Sequence, residues 1–165
     1  MGKYTLILMY VDSEETLDLV RRGLGDIGLY LTPTVVITWR ERRDVDKRLS
    51  RAKAHLMDAM EKGFKGEFSY AVIELTEDQY RGVRQLVVIR LIKEVESMIS
   101  RGEALLARIR SARDVNRVKG ALDSFNRRYR WVVQLHEVFD VKHDLLRKLM
   151  DLTMEMMNEY ERRVR

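Results

Sequence analysis

Along the chain, apolar positions come first as short unbroken runs and later only at helical spacing. Residues 4–11, YTLILMYV, form a continuous apolar run that predicts a buried central strand. Asp12 and Glu15 then make a D-x-x-E capping box ahead of Leu17, Val20, Leu24 and Ile27, whose spacing predicts a helix. The alternating, β-branched stretch LYLTPTVVITW (29–39) predicts a second strand. Pro33 inside it marks a bulge or an edge, because proline gives a ladder no donor. Val45, Leu49, Ala52, Leu56 and Met60 predict an amphipathic helix from Asp44 to Gly63. EFSYAVIEL (67–75) predicts the third strand. Thr76 and Gln79 form another capping box, opening a helix that carries Tyr80, Val83, Val87, Leu91, Val95 and Met98.

Beyond residue 76 the pattern is helical throughout. Gly102 marks a kink or a break, and Leu105, Ile109, Val118, Leu122, Phe125, Tyr129 and Val132 continue the period. Asp140 is placed as the N-cap of a last helix. That helix has a heptad-like stripe of Val141, Leu145, Leu149, Leu152 and Met156, beside a second one of Leu146, Met150 and Met157. The predicted class is α+β: a small β-α-β-α-β ferredoxin-like sheet over residues 1–75, then a long helical bundle or extension over 76–165, packed with it as one unit.

Composition narrows the setting. The chain has 165 residues, 45% of them hydrophobic and 35% charged, which suits one domain with a real core and a dense ionic surface. Without cysteine, disulfides and thiolate metal sites are excluded. No stretch resembles a signal peptide or is long enough to span a bilayer. Met1-Gly2 begins like a myristoylation site, but Leu6 stands where Ser or Thr is needed. A cytoplasmic protein with no membrane partner is expected. One proline and abundant Arg, Glu and Lys resemble thermophile composition.

Candidate chemistry is sparse. GLGDIG (23–28) spells G-x-G-x-x-G, yet a phosphate loop must open a helix, and these glycines end one. There the helix dipole repels phosphate. Gly28 reads as a left-handed cap and Gly25 as a close-packing position. Asp12, at the end of the first strand, is either a functional acid or a cap, and the cap explains it. His136, Glu137, Asp140, His143 and Asp144 crowd one helix junction, but their spacing matches no metal motif; a polar corner is expected, with no metal or cofactor. No nucleophile motif is visible, which makes an enzyme the third choice.

Basic residues are the most informative feature. In the stretch 40–53 the cations Arg40, Arg42, Arg43, Lys47, Arg48, Arg51 and Lys53 meet only Glu41, Asp44 and Asp46. In 101–130 the nine cations Arg101, Arg108, Arg110, Arg113, Arg117, Lys119, Arg127, Arg128 and Arg130 outnumber Glu103, Asp114 and Asp123 by six. That local excess is larger than the net charge of +5 for the whole chain, so charge is segregated. NRRYRW (126–131) interleaves aromatics with arginine, which suits phosphate contact and base stacking by Tyr129 and Trp131; the alternative is a solvated helix face with both rings turned inward.

Two resemblances follow from these segments. YTLILMYVDSEET and GLYLTPTVVIT resemble the opening of ferredoxin-like domains, including the small CRISPR integration scaffold proteins, whose first strand also ends at an aspartate, here Asp12. The second hairpin strand of those domains is not visible in this chain, so their nuclease or integration roles are not carried over. More of the chain resembles the N-terminal region of the chromate-resistance regulator (ChrB-like) family, through GLYLTPTVVI (28–37), the helix from Tyr80 and LDSFNRRYRWVVQLHEVFD (122–140). That resemblance implies transcriptional regulation and DNA contact, with no catalytic residues.

The sequence thus leads to a homodimeric, non-enzymatic nucleic-acid-binding protein. Arg40, Arg42, Arg43, Lys47, Arg48, Arg51, Arg110, Arg113, Arg117, Arg127, Arg128 and Arg130 are the expected phosphate contacts for DNA or RNA, with Tyr129 and Trp131 stacking. Leu145, Leu149, Leu152 and Met156 are the expected oligomerisation stripe. The rival reading is an adaptor that docks a protein partner through that last helix.

Overall fold

The computed structural model describes residues 3–165. Met1 and Gly2, and the myristoylation reading with them, lie outside the described residues. The chain forms two compact units, one reaching Leu86 and one starting at Val87.

In the first unit the elements run β1 (Tyr4–Val11), α1 (Glu14–Leu24), β2 (Leu29–Thr32), β3 (Val35–Thr38), α2 (Arg42–Glu61), β4 (Phe68–Leu75) and the opening turns of α3 (Glu77–Ser111). The strands make one antiparallel sheet in the order β2-β3-β1-β4. With this chain order it is the ferredoxin-like, split βαβ arrangement. β1 pairs along its whole length with β4, from Tyr4 opposite Leu75 to Val11 opposite Phe68. Its other edge pairs with β3, from Thr5 opposite Thr38 to Leu8 opposite Val35.

The stretch 29–39 is therefore a tight hairpin and not one strand. Pro33 and Thr34 form the turn between β2 and β3, and the pairing shifts between Tyr30 and Thr32. Proline's fixed φ suits the first central position of a turn. Neither Asn-Gly nor Asp-Gly announces this turn, so the alternation runs through it unbroken. The sheet has the fourth strand that the periodicity alone does not reveal.

Strand alternation sends Ile7, Met9 and Val36 into a core with Val20, Leu24 and Ile27 and with Val45, Leu49 and Ala52 of α2. The last turn of the α2 stripe escapes this core, and Met60 is exposed. On the opposite face of the sheet Leu8, Tyr10 and Ile73 are exposed. Tyr80 of α3 stacks on Tyr4 with ring centroids 4.1 Å apart. That contact explains why the first turns of α3 belong with the sheet, although the composition changes near residue 76.

The cap of α1 is shifted by one residue from the predicted box. Ser13 is the N-cap, its Oγ accepting from the Thr16 amide at 3.1 Å. Asp12 instead accepts from the Thr16 hydroxyl at 2.8 Å and from the Glu67 amide at 3.0 Å, tying the end of β1 to the approach of β4. Those bonds, the Glu67 amide foremost, hold its carboxyl below the usual aspartate range. The box at α3 is as read: the Gln79 amide donates to Thr76 Oγ1 at 3.2 Å and the Thr76 amide to Gln79 Oε1 at 2.9 Å.

The glycines of GLGDIG exchange roles. Gly25, not Gly28, closes α1 at φ 58°, its amide donating to the Arg21 carbonyl at 3.0 Å. A Cβ at Gly28 would lie 2.3 Å from the Ile37 carbonyl oxygen, and one at Gly23 would lie 2.4 Å from Ala52 Cα. Gly28 thus lets the loop approach β3, and Gly23 lets α1 sit against α2.

The second unit contains the rest of α3, a 3-10 turn (Val115–Val118), α4 (Lys119–Val138) and α5 (Asp144–Val164). Val95, Met98, Leu105 and Ile109 of α3 share a core with Leu122, Phe125 and Val132 of α4 and with Leu149, Leu152 and Met156 of α5. Gly102 does not break α3, which continues through it to Ser111. A Cβ there would meet the Leu152 side chain at 2.7 Å and the Phe125 ring at 3.1 Å, so its smallness serves packing. Arg163 of α5 donates to the carbonyls of Ile109, Arg110 (2.7 Å) and Ala112 (2.6 Å), capping the C-terminus of α3 with a cation. Asp140 is not an N-cap. It takes φ 50° just after α4, and α5 begins later, at Asp144 behind an extended His143.

Two glycine substitutions separate packing from propensity. Gly28→Ala should lower stability by about 1–3 kcal/mol through the clash with the Ile37 carbonyl. Gly82→Ala, in a helix with nothing within 4 Å of the added carbon, should raise it by about 0.5–1 kcal/mol. Urea unfolding of both variants checks the pair.

Candidate nucleic-acid interface

Three of the seven cations in the basic stretch 40–53 are paired with carboxylates where they sit. Arg48 pairs with Asp26 at 2.8 Å and Asp44 at 3.0 Å, and donates to the Leu24 carbonyl at 2.8 Å. Arg40 pairs with the same two carboxylates, both at 3.3 Å, and donates to the Asp26 carbonyl. Together they clamp the C-terminal end of α1, where a helix favours cations. Burial works against the Asp26 charge, but the Arg48 hydrogen bond and both guanidinium charges bring its pKa below the ordinary value. Arg42 pairs with Asp46 at 2.9 Å. Arg43, Lys47 and Arg51 remain exposed at four-residue spacing on α2, with no ion pair among the described residues. Lys53 lies over the Tyr70 ring, 4.7 Å from its centroid.

The balance differs between the units. Residues 1–86 hold 14 Lys and Arg against 14 Asp and Glu, whereas residues 87–165 hold 17 against 12, which is the entire net charge of +5. Several cations of the second unit are also answered locally. Arg110 pairs with Glu155 at 2.7 Å, Arg117 reaches Asp114 at 4.0 Å, and Arg128 Nε donates to Glu94 at 2.8 Å. Arg127 donates to Ser124 Oγ at 3.1 Å. Arg101, Arg108, Arg113 and Arg130 are exposed and joined to no carboxylate among the described residues.

Two grooves flank α4. One, of about 490 Å³, is lined by Asp123, Asn126, Arg127, Tyr129 and Arg130 of α4 with Thr153 and Met157 of α5, so a carboxylate stands among its arginines. The Asn126 amide donates to Met157 Sδ at 3.0 Å across it. The other, between α3 and α4, brings Arg101 and Arg108 to Arg128. Arg101 and Arg108 stand out in sequence only as members of a basic run. Their seven-residue spacing on either side of the buried Leu105 is the signal that puts both beside one groove.

Tyr129 and Trp131 do not make one stacking platform. Two residues apart on a helix, they point about 200° apart. Tyr129 is half-buried against the core of its unit, and burial pushes its hydroxyl pKa up. Trp131 is partly buried as well.

The expected oligomerisation stripe lies inside the second unit. Leu149, Leu152 and Met156 are buried in its core, and Leu145 packs against that core half-buried. The heptad-like spacing reports this internal packing. On α5 the exposed large apolar side chains are Met150, Met154 and, in the last turn, Val164.

The junction of α4 and α5 is a polar corner made by two histidines. His136 Nδ1 lies 2.7 Å from the Val132 carbonyl and so donates to it. Its Nε2 is then an acceptor, 2.9 Å from His143 Nε2, which must carry the shared proton. His143 Nδ1 is left buried without a partner. Burial is the main reason that both pKa values fall below the ordinary 6.5. Among the described residues no three His, Asp or Glu side chains are placed to hold a metal ion.

Because folding lowers the pKa of both histidines, the unfolded chain takes up more protons below about pH 6.5. This contribution to stability is therefore complete above the ordinary histidine value and is lost as the pH falls below it. Urea unfolding between pH 7 and pH 5 should show the decline, and a shallower one in His143→Gln. Leu149→Ala, at a fully buried position, should cost about 2–5 kcal/mol, whatever the oligomeric state found by sedimentation. Comparison of the chain with family models, with curated proteins and with solved structures finds no match in any of the three.

Proposed function

We propose that the protein is a non-enzymatic nucleic-acid-binding protein whose phosphate-contacting surface crosses α4, from the α3–α4 groove to the α4–α5 groove of the helical unit. The observation that carries this reading is the distribution of charge. The sheet unit is formally neutral and holds four of its arginines, Arg40, Arg42, Arg48 and Arg81, against carboxylates. The helical unit carries the whole excess of +5 and leaves Arg101, Arg108, Arg113 and Arg130 unpaired. Exposed guanidinium groups bind phosphate in bidentate fashion, and an excess of them along one helix attracts a polyanion at long range. Arg127 and Arg130 border one side of α4 and Arg101 and Arg108 the other, so a backbone crossing α4 meets arginine on both sides. Asn126 and Tyr129 border the same surface and supply polar and aromatic contact to bases. The resemblance to the chromate-resistance regulators points in the same direction, toward a regulatory role on DNA.

If about four phosphates are neutralised, the logarithm of the binding constant should fall against the logarithm of salt with a slope of about −4 for duplex DNA. Arg127→Gln together with Arg130→Gln should reduce that slope by about two, while Arg42→Gln, which loses only an exposed pair with Asp46, should leave it unchanged. Fluorescence anisotropy with labelled duplex DNA, single-stranded DNA and RNA measures the slopes and shows which form is preferred. Absence of binding to all three at low salt would overturn the reading.

A further inference from the structure

The α3–α4 groove differs from a plain phosphate-binding surface because its floor is apolar. Met98 and Leu105 of α3 and Phe125 of α4 form that floor, all nearly buried, and the groove encloses about 400 Å³. Such a volume is in the range of sites for small molecules. Its edge is cationic. Arg101 and Arg108 stand two helical turns apart on α3 with no carboxylate joined to them, and Arg128 faces them from α4. Arg128 is held by the buried Glu94, which Arg90 approaches at 3.7 Å from the same helix. The unanswered charge at this edge therefore belongs to Arg101 and Arg108. A phosphodiester would satisfy the guanidinium groups but make no contact with the apolar floor. A ligand with a compact apolar body and one anionic end would satisfy both.

We infer that the groove between α3 and α4 binds a small amphipathic carboxylate, its apolar body on Met98, Leu105 and Phe125 and its carboxylate on Arg101 and Arg108. This site goes beyond the nucleic-acid reading and stands without it, since it requires no phosphate contact along α4. The carboxylate binds by charge-assisted hydrogen bonds, bidentate where it meets one guanidinium in plane. The apolar body contributes in proportion to the area that it removes from water, so affinity rises with chain length until the groove is full.

The test uses decanoate, 1-decanol and decylamine as probes, by isothermal titration into the full chain without nucleic acid. Decanoate should bind saturably at one site. Decanol, which has the same apolar body without the charge, should bind about tenfold more weakly or worse, and decylamine should not bind. Arg101→Gln with Arg108→Gln should weaken decanoate about tenfold or more and leave the melting temperature unchanged, because both side chains are exposed and unpaired. Ala104→Phe, at an exposed position bordering the groove, should block decanoate and decanol alike. Arg127→Gln with Arg130→Gln should leave decanoate binding intact while weakening nucleic acid, so failure of one reading is distinguishable from failure of the other. Lack of saturable decanoate binding, equal affinity for decanoate and decanol, or indifference to the Arg101 and Arg108 substitutions would each overturn the inference.

Discussion

The sheet unit depends on β1 being paired along both edges. Its eight residues run against β4 on one side, and four of them run against β3 on the other. Backbone groups in the middle of an apolar run have no access to water, so a strand of this composition must find partners on both sides. Once it has them, alternation decides which side chains enter the core with α1 and α2. The strand ends are then held by side chains: Asp12 receives the Glu67 amide at one end, and Thr38 donates to the Ile27 carbonyl at 2.6 Å. Gly28 is the steric counterpart of the same constraint, since the loop returning from α1 must pass within contact distance of the β3 backbone.

Charge follows a second logic. In the sheet unit arginine serves geometry. Arg40 and Arg48 close on Asp26, on Asp44 and on the carbonyls that end α1. In the helical unit Arg163 does the same for the end of α3. These cations answer helix dipoles and loop carbonyls and are not available to a polyanion. What is left over is the row Arg43, Lys47 and Arg51 on α2, in a unit with no net charge, and the set of arginines around α4, in the unit that carries the whole excess; that remainder, not the raw count of basic residues, distinguishes a candidate surface from a solvated one.

Much of the architecture was legible along the chain. The apolar runs at 4–11 and 67–75 became full strands, and the reciprocal capping of Thr76 and Gln79 marked the start of α3. The glycine-rich GLGDIG was recognisable as the end of a helix because its place after α1 put it at the wrong pole for phosphate. Which glycine does what was not legible. Positive φ at Gly25 and close approach at Gly23 and Gly28 arise from contacts with residues far away in the chain. The hairpin at Pro33 was hidden because a two-residue turn need not interrupt alternation. The heptad-like stripe of α5 suggests an interface in sequence because a periodic apolar face shows that something covers it, without showing what. The cover is α3 and α4 of the same chain.

By itself the sequence determined the α+β class, the order of sheet before helices and the segregation of charge, since these depend on periodicity, local capping and composition. Only the tertiary structure decided which cations remain unpaired, that Arg101 and Arg108 share a groove with Arg128, and that His136 and His143 meet at hydrogen-bond distance. Each of those depends on partners brought together from distant positions. Burial, pairing and proton sharing are properties of neighbours in space, and a linear pattern specifies neighbours only within a turn or a strand.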